Sequence, residues 1–148
     1  MGKSRYDLMV SEGYGFDYSG SVYGKLDPSA QKILVPNTAS PVYIAGTIAH
    51  ESMHYKAGSG SLYQEYVAYL VGSTVMTEVV QAGHGSQSDI TIPLSKFTVD
   101  LENPDKKALA NDLRGWFKNN GLSIYSDPKP LGYQLPAFPL ARDLDRDR

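Results

Sequence analysis

IAHESMHYKAGSGSLYQEYVAYLVG, residues 48–72, joins two helical segments through a glycine- and serine-rich turn at 57–61. The first helix begins at Ser40-Pro41, because serine can cap free amides and proline at the first helical position loses no hydrogen bond. Apolar residues at helical spacing carry this helix to about Tyr55. The second helix is predicted from about Leu62 to Gln81, and Gly83 closes it. The turn folds the second helix back along the first.

The end of the first helix carries an HExxH motif, formed by His50, Glu51 and His54. Residues four apart stand one above the other on an α-helix, so both imidazoles can reach one Zn²⁺ at about 2.0–2.1 Å each. Glu51 lies about 100° around the helix from His50, beside the metal rather than on it. A carboxylate there can take a proton from a metal-activated water and pass it to a leaving amine. The alternative is an exposed polar helix face with a histidine pair and no metal.

A catalytic zinc needs a third protein ligand and one open position. The chain has no cysteine, so the candidates for that ligand are Glu65, Glu78, His84 and Asp89. Glu65 is the best placed of the four, because the turn brings the start of the second helix level with His54 at the end of the first.

Small residues follow Glu65 on its face of the second helix. Ala68 and Gly72 come three and seven positions later, where they let two helices pack closely. Glu78 lies about 220° around the helix from Glu65 and should face elsewhere. His84 lies beyond the helix end and could approach only by a loop. The alternative for Glu65 is a solvated glutamate at a helix start, which the helix macrodipole favours.

HESMH, the glycine-rich turn and EYVAYLVG together resemble the zincin metallopeptidases of the gluzincin type, in which HExxH is followed by a glutamate ligand on a second helix. They are most similar to the compact metallopeptidase domains of bacterial polymorphic toxins, effectors and phage proteins. The resemblance covers about 25 of the 148 residues. It implies a zinc cofactor held by His50, His54 and Glu65, with Glu51 as general base and acid.

The resemblance also implies how a substrate is bound. In zincins a strand edge before the active-site helix binds an extended peptide by adding a strand. QKILVP, residues 31–36, could supply that edge or could be an ordinary core strand. Tyr69, one turn after Glu65, and His84, between two glycines, are candidates to donate to a tetrahedral oxyanion, although each could be structural instead. A toxin or effector role would add an immunity or inhibitor protein to the protein or peptide substrate as a partner.

Outside the two helices, the sequence predicts short strands and a third helix. RYDLMV, GSVYGKL and QKILVP, all within residues 5–36, read as strands, with a turn at 27–29 before the last. Residues 84–100 read as loop and strand, because Ile90, Ile92 and Leu94 alternate there until Pro93 interrupts them. The third helix starts at 103–105 and stops at Gly121. Its inward-facing residues are Ala108, Leu109, Leu113, Trp116 and Phe117.

These elements predict an α+β, zincin-like domain. It has a short, mostly antiparallel sheet, an active-site helix, a ligand helix and a C-terminal helix. We expect one domain over residues 1–148, because this length is enough for a single hydrophobic core, with 140–148 as a frayed tail.

The composition argues against several classes of partner. The formal net charge is −2 and the pI is about 5.9, so no basic field invites nucleic acid or anionic lipid. The start lacks the apolar region of a signal peptide, and the longest apolar stretch, 67–80, is too short and too polar to span a bilayer. We expect a soluble protein, either cytoplasmic or secreted by a specialised system.

The function that these features favour is zinc-dependent hydrolysis of peptide bonds, in a toxin or effector domain or a small stand-alone protease. One alternative is a binding or structural protein that keeps the metal, or only the fold, without catalysis. Another is a zinc amidase that acts on a non-protein amide, such as a cell-wall crosslink.

Overall fold

The computed structural model describes residues 2–18, 24–36, 40–55 and 61–122. These residues form α1 (Gly2–Ser11), β1 (Gly15–Tyr18), β2 (Lys25–Asp27), β3 (Lys32–Val35), α2 (Pro41–Ser52), α3 (Leu62–Gln81) and α4 (Lys106–Asn119). Short 3₁₀ helices at Gln87–Asp89 and Leu94–Lys96 connect α3 to α4. The predicted α+β class with a small sheet is confirmed. The predicted frayed tail at 140–148 lies outside the described residues.

The sheet has β3 at its centre, in the order β1-β3-β2. β2 pairs with β3 in antiparallel fashion, whereas β1 runs parallel to β3, with Gly15 opposite Lys32. Ile33 and Val35 of β3 are fully buried beneath α2. The interpretation of 31–36 as a substrate-binding edge is therefore wrong, since β1 and β2 are the outer strands of the described sheet.

The turn predicted between β2 and β3 is confirmed. The Asp27 carboxylate accepts hydrogen bonds from Ser29 Oγ at 2.7 Å and from Ala30 N at 3.2 Å, which holds the chain in the reversal. Such a side-chain bond to a nearby amide is the usual way in which aspartate stabilises a turn.

Of the three strands predicted within residues 5–36, QKILVP is confirmed as β3. The end of GSVYGKL, Lys25 and Leu26, lies in β2, and its residues 20–23 lie outside the described residues. The third prediction is wrong. RYDLMV lies in α1, not in a strand, and only Met9 of its apolar run Leu8–Val10 is buried. Three consecutive apolar residues specify no period, so packing of Met9 against the sheet and α2 decides the conformation. The first strand lies instead at Gly15–Tyr18, in the glycine-rich region, because β3 offers it a pairing partner.

The segment 90–94, whose alternation predicted a strand, is irregular and leads into the second 3₁₀ helix. Ile90 and Ile92 are both buried, so their alternation reflects side chains packing down onto the helices rather than a pleated strand.

α2 and α3 begin where the sequence predicted, but α2 ends at Ser52, three residues before the predicted Tyr55. Ser40 Oγ accepts from Tyr43 N at 3.2 Å at the start of α2, and Ser61 Oγ accepts from Gln64 N at 3.1 Å at the start of α3. Gly83 and Gly121 take positive φ angles of 88° and 75° after α3 and α4, a conformation that glycine adopts without strain. The capping serines thus fix where both helices of the motif begin.

The described core is built around α3, which packs against α2 on one side and α4 on another. Its largest apolar cluster joins α3 to the buried face of α4 and to the end of α2, and includes Met53, Tyr66, Val67, Leu113, Trp116 and Phe117. In the part of the chain that the structure describes, no helix has the length and apolar character needed to cross a membrane.

Candidate metal centre

The site lies where the end of α2 meets the start of α3. His50 and Glu51 lie in the last turn of α2. His54 follows in a tighter 3₁₀-like turn, since its amide donates to Glu51 O at 3.1 Å rather than to the carbonyl four residues back. Glu65 lies in the first turn of α3, where its amide donates to Ser61 O at 3.0 Å. The cap of α3 therefore determines where along the end of α2 the Glu65 carboxylate lies relative to the two imidazoles.

His50, His54 and Glu65 converge on one point. The two Nε2 atoms are 3.3 Å apart, His54 Nε2 is 3.1 Å from Glu65 Oε1, and His50 Nε2 is 3.4 Å from Glu65 Oε2. A tetrahedral zinc with bonds of about 2.0–2.1 Å separates any two of its ligand atoms by about 3.3–3.4 Å. The two imidazole nitrogens therefore stand at the spacing of two corners of a zinc tetrahedron, and the Glu65 carboxylate places one oxygen at a similar distance from each of them.

One oxygen of the Glu65 carboxylate lacks a hydrogen-bond donor in the described part of the chain, and a bound cation would interact with it. Its Oε2 atom is buried and accepts no hydrogen bond within the described residues. An unsatisfied buried carboxylate oxygen is costly, and such atoms commonly mark a binding position for an ion. The donor set of two imidazoles and one carboxylate is also one that zinc accepts. The residues present thus fit a divalent metal in both geometry and chemistry.

Gln64 orients one of the imidazoles. Its Oε1 atom is 2.8 Å from His54 Nδ1, and Gln64 itself is buried. An amide oxygen only accepts, so Nδ1 carries the proton and Nε2 is the nitrogen turned to the metal position. Ligand histidines usually have such an outer partner. Sequence reasoning did not identify Gln64, because its role follows only from the way α3 crosses α2.

The charges in the site are strongly coupled. Burial lowers the pKa of His54, but the adjacent Glu65 carboxylate outweighs it, with help from Glu51 and Gln64, and raises that pKa to about 9. Burial raises the pKa of Glu65, and the imidazoles of His50 and His54 outweigh this and lower it to about 2. In the metal-free protein at neutral pH, a proton on His54 faces the Glu65 carboxylate. A bound cation would replace that proton.

Glu51 also lies close to the imidazoles, but its carboxylate is farther from His50 Nε2 than that of Glu65. The ligand atoms of His50, Glu51 and His54 all lie within 4.8 Å of one another, so Glu51 could itself be read as the third ligand. However, Glu51 Oε1 is 3.9 Å from His50 Nε2, farther than either Glu65 contact. We assign the ligand position to Glu65, because each of its oxygens faces a different imidazole, and leave Glu51 beside the metal.

A cleft of about 710 Å³ opens beside His50 and Glu51. Among the described residues, His54 and Glu65 do not line it, so they lie behind the surface that a substrate would touch. Glu51 thus faces the space where a reacting group can enter. A general base must lie at such an accessible position, whereas a metal ligand can be buried behind it.

Tyr69 lies at the wall of this cleft, against the first histidine. Its ring meets the His50 ring edge-on, with centroids 4.4 Å apart, and its other side lies 6.0 Å from the Phe117 ring. Tyr69 therefore connects the site to the apolar core. Of the two predicted oxyanion donors, Tyr69 and His84, only Tyr69 is among the described residues that line the cleft.

The remaining predicted candidates are not brought to the site. His84 is exposed in the turn after α3, and its amide donates to Val79 O at 3.1 Å. Glu78 is exposed on α3, as its angle around the helix predicted. The Asp89 carboxylate accepts from Ser86 N at 2.9 Å in a local capping box. In the described part of the chain, neither His84 nor Asp89 lines the cleft, so a role for His84 as oxyanion donor finds no support.

Glycines let α2 and α3 approach closely next to the ligands. A Cβ placed on Gly72 would lie 3.0 Å from Gly46 O and 3.5 Å from His50 Cβ. Gly72 therefore allows backbone contact and leaves room for the His50 ring, as the spacing after Glu65 predicted. Ala68, the other small residue on that face, is fully buried.

Compared with protein family models, with curated proteins and with solved structures, the chain gives no match. The case for its function therefore rests on the geometry of the site.

Proposed function

We propose that this protein is a zinc-dependent peptidase whose metal is held by His50, His54 and Glu65. One observation carries the proposal: the two imidazole Nε2 atoms lie 3.3 Å apart, and each lies 3.1–3.4 Å from one oxygen of the Glu65 carboxylate, close to the spacing of ligand atoms around a tetrahedral zinc. Two further observations support it: Glu65 Oε2 is buried without a hydrogen bond from the described residues, and His54 Nδ1 lies 2.8 Å from Gln64 Oε1. A polar helix face without a metal would require none of these features.

Zinc in this position would supply a Lewis acid that polarises the scissile carbonyl and makes water a stronger nucleophile. Glu51, at the edge of the cleft, takes a proton from the attacking water as the new carbon–oxygen bond forms. It then delivers that proton to the amide nitrogen as the carbon–nitrogen bond breaks, so the products are a carboxylic acid and an amine. Gln64 holds the His54 ring in one tautomer throughout.

Tyr69 is the candidate to stabilise the oxyanion that forms during the attack. It lines the cleft, and its ring contacts the ring of His50, which we propose as a metal ligand. Removal of one oxyanion donor typically lowers the rate by about 10²–10³-fold. Replacement of Tyr69 by phenylalanine keeps the ring contact with His50 and removes only the hydroxyl.

An extended peptide could bind by pairing with β2. Gly24, directly before β2, lines the cleft, and β2 is an outer strand of the described sheet. Peptides commonly bind by adding a strand to such an edge. This assigns to β2 the role that the sequence had suggested for residues 31–36. The toxin or effector role, with its immunity partner, stays a prediction from the resemblance alone.

The test is hydrolysis of a mixed peptide pool by the zinc-loaded protein and by Glu51→Gln. We expect Glu51→Gln to keep its zinc and to lose activity by about 10²–10⁴-fold, the usual contribution of a general acid–base group. Glu78→Gln is the matched control, because Glu78 is exposed on α3 outside the cleft. Equal activity in Glu51→Gln and the wild type would overturn the assigned role. Zinc binding without hydrolysis of peptides would favour a non-catalytic metal protein or, if peptidoglycan is cleaved, an amidase.

A further inference from the structure

The cleft continues away from the metal site along the contact between α2 and α3. The two helices are antiparallel, since His54 meets Glu65 at one end of the contact and Gly46 meets Gly72 further along. The residues of α3 that line the cleft, Tyr69, Gly72, Ser73 and Met76, therefore lie at increasing distance from the ligands. A substrate that reaches Glu51 can extend a side chain into this channel.

The middle of the channel has a backbone floor. Gly46 and Gly72 line it, and the Gly72 Cβ position is only 3.0 Å from Gly46 O, so no side chain from either residue fills the space above the contact. Glycine at both positions lets the two helix backbones touch. The two backbones and the Met76 side chain beside Gly46 therefore form this part of the cleft wall.

Apolar side chains form much of the cleft lining. Met76 and Ile92 are both buried and line the cleft, and Met76 packs in one cluster with Tyr43, whereas Ile92 belongs to the cluster around α4. The polar residues of the lining other than His50 and Glu51 are neutral and include Thr47, Ser73 and Asn120. A Cβ on Gly46 would overlap the Met76 side chain, which therefore lies across the floor. Thr91 Oγ1 lies 4.0 Å from Met76 Sδ and places a neutral hydroxyl at the rim. Methionine adapts its shape to different apolar partners, which suits a pocket for side chains of varied outline.

The lining carries little charge. Among the described residues that form the cleft, only His50 and Glu51 have basic or acidic side chains. A charged side chain placed in the channel would lose its hydration without gaining a partner of opposite charge.

We propose that this channel is a specificity pocket for an uncharged apolar side chain next to the scissile bond, with Met76 and Ile92 as its determinants. The inference rests on the proposed peptidase function and narrows its substrate class to peptides with such a side chain. Peptides that carry Asp, Glu, Lys or Arg at that position are poor substrates.

The experiment uses the zinc-loaded full chain and a peptide set that varies at the residues on either side of one potential cleavage bond. Mass spectrometry gives kcat/KM for each member. We expect Leu, Ile, Met and Phe to exceed Asp, Glu, Lys and Arg by about 10-fold or more at one of the two positions. Cleavage without such a preference would overturn the pocket and leave the peptidase function intact.

A pair of charge variants localises the pocket. Thr91 is exposed, so Thr91→Asp and Thr91→Lys should fold, and each places a charge at the rim. Thr91→Asp should raise the relative kcat/KM for Lys and Arg peptides, and Thr91→Lys should raise it for Asp and Glu peptides. Thr98→Asp, at an exposed residue outside the cleft, is the control and should change nothing. Unchanged selectivity in both Thr91 variants would contradict the assignment.

Binding of the same peptides to zinc-loaded Glu51→Gln, measured by fluorescence anisotropy, tests the specificity pocket separately from the peptidase activity. Selective binding of apolar peptides in the absence of any wild-type hydrolysis would uphold the pocket and overturn the peptidase. Absence of both hydrolysis and selective binding would overturn both.

Discussion

The two sides of α3 differ in what they contribute. The side toward α2 carries Glu65 and Gly72, where polar atoms converge and backbones touch. The side toward α4 carries Tyr66, whose ring packs at 4.8 Å from Trp116 and whose hydroxyl accepts a hydrogen bond from Val99 N at 3.2 Å. One helix thus separates the proposed metal site from a core that holds the fold. Substitutions on the two sides should therefore have separable effects on metal binding and on stability.

The largest expected effect is on the α4 side. Phe117 is fully buried in the cluster that joins α3 to α4, so Phe117→Ala should lower the free energy of unfolding by about 3–5 kcal/mol. Urea unfolding of the metal-free protein measures this change. Phe16→Ala is the matched control, because Phe16 is half exposed on β1, and its cost should stay within about 0.5 kcal/mol. A folded Phe117→Ala protein that binds no zinc would show that the two sides are not separable.

A smaller effect is expected on the α2 side. Gln64→Leu keeps a buried side chain of similar size but removes the acceptor for His54 Nδ1, so zinc affinity should fall by about 10–100-fold. Competition with a chromophoric chelator measures the affinity. Gln81→Leu, at the exposed end of the same helix, should leave it unchanged. Equal affinity in Gln64→Leu and the wild type would remove Gln64 from the site.

A third expected effect is a dependence on pH that has opposite signs for stability and metal binding. The pKa of His54 is raised from 6.5 to about 9, so its contribution to metal-free stability is complete below pH 6.5 and is lost as pH rises through 9. The pKa of Glu65 is lowered from 4.5 to about 2, so its contribution is complete above pH 4.5 and is lost as pH falls through 2. The pair therefore stabilises the metal-free protein most between pH 4.5 and 6.5.

Zinc affinity should rise over the range in which metal-free stability falls. Zinc must displace the His54 proton, so its apparent affinity should increase by about tenfold per pH unit from pH 6.5 toward 9. Urea unfolding without metal and zinc titration at the same pH values measure the two trends. His84→Ala should retain both, because His84 is exposed and outside the site. A pH-independent zinc affinity would contradict the coupling.

The parts of the molecule that local rules govern could be predicted from the sequence. The Ser40-Pro41 start of α2, the start of α3 at Leu62 and its closing Gly83 could be predicted, and the four-residue spacing of His50 and His54 predicted that the two imidazoles face one point. The position of Glu65 near His54 could also be predicted, because the short turn at 57–61 folds the start of α3 back beside the end of α2.

Features that depend on tertiary contact could not be predicted in this way. β1 exists because β3 is available to pair with it, and α1 is helical because Met9 finds a buried position. Gln64 reaches His54 only through the angle at which α3 crosses α2. The apolar channel likewise draws on Thr91 and Ile92, which lie far from the motif in sequence.

The measurement that tests the central claim most directly is the zinc content of purified Glu65→Gln beside wild type and Glu78→Gln. Both substitutions replace a glutamate of α3 by its neutral isostere, one at the converging imidazoles and one on the exposed face. We predict close to one zinc per chain in the wild type and in Glu78→Gln, and a loss of most of it in Glu65→Gln with the helical circular dichroism spectrum retained. Full zinc occupancy in Glu65→Gln, or none in a zinc-supplemented wild type, would contradict the assignment of His50, His54 and Glu65 as the metal centre.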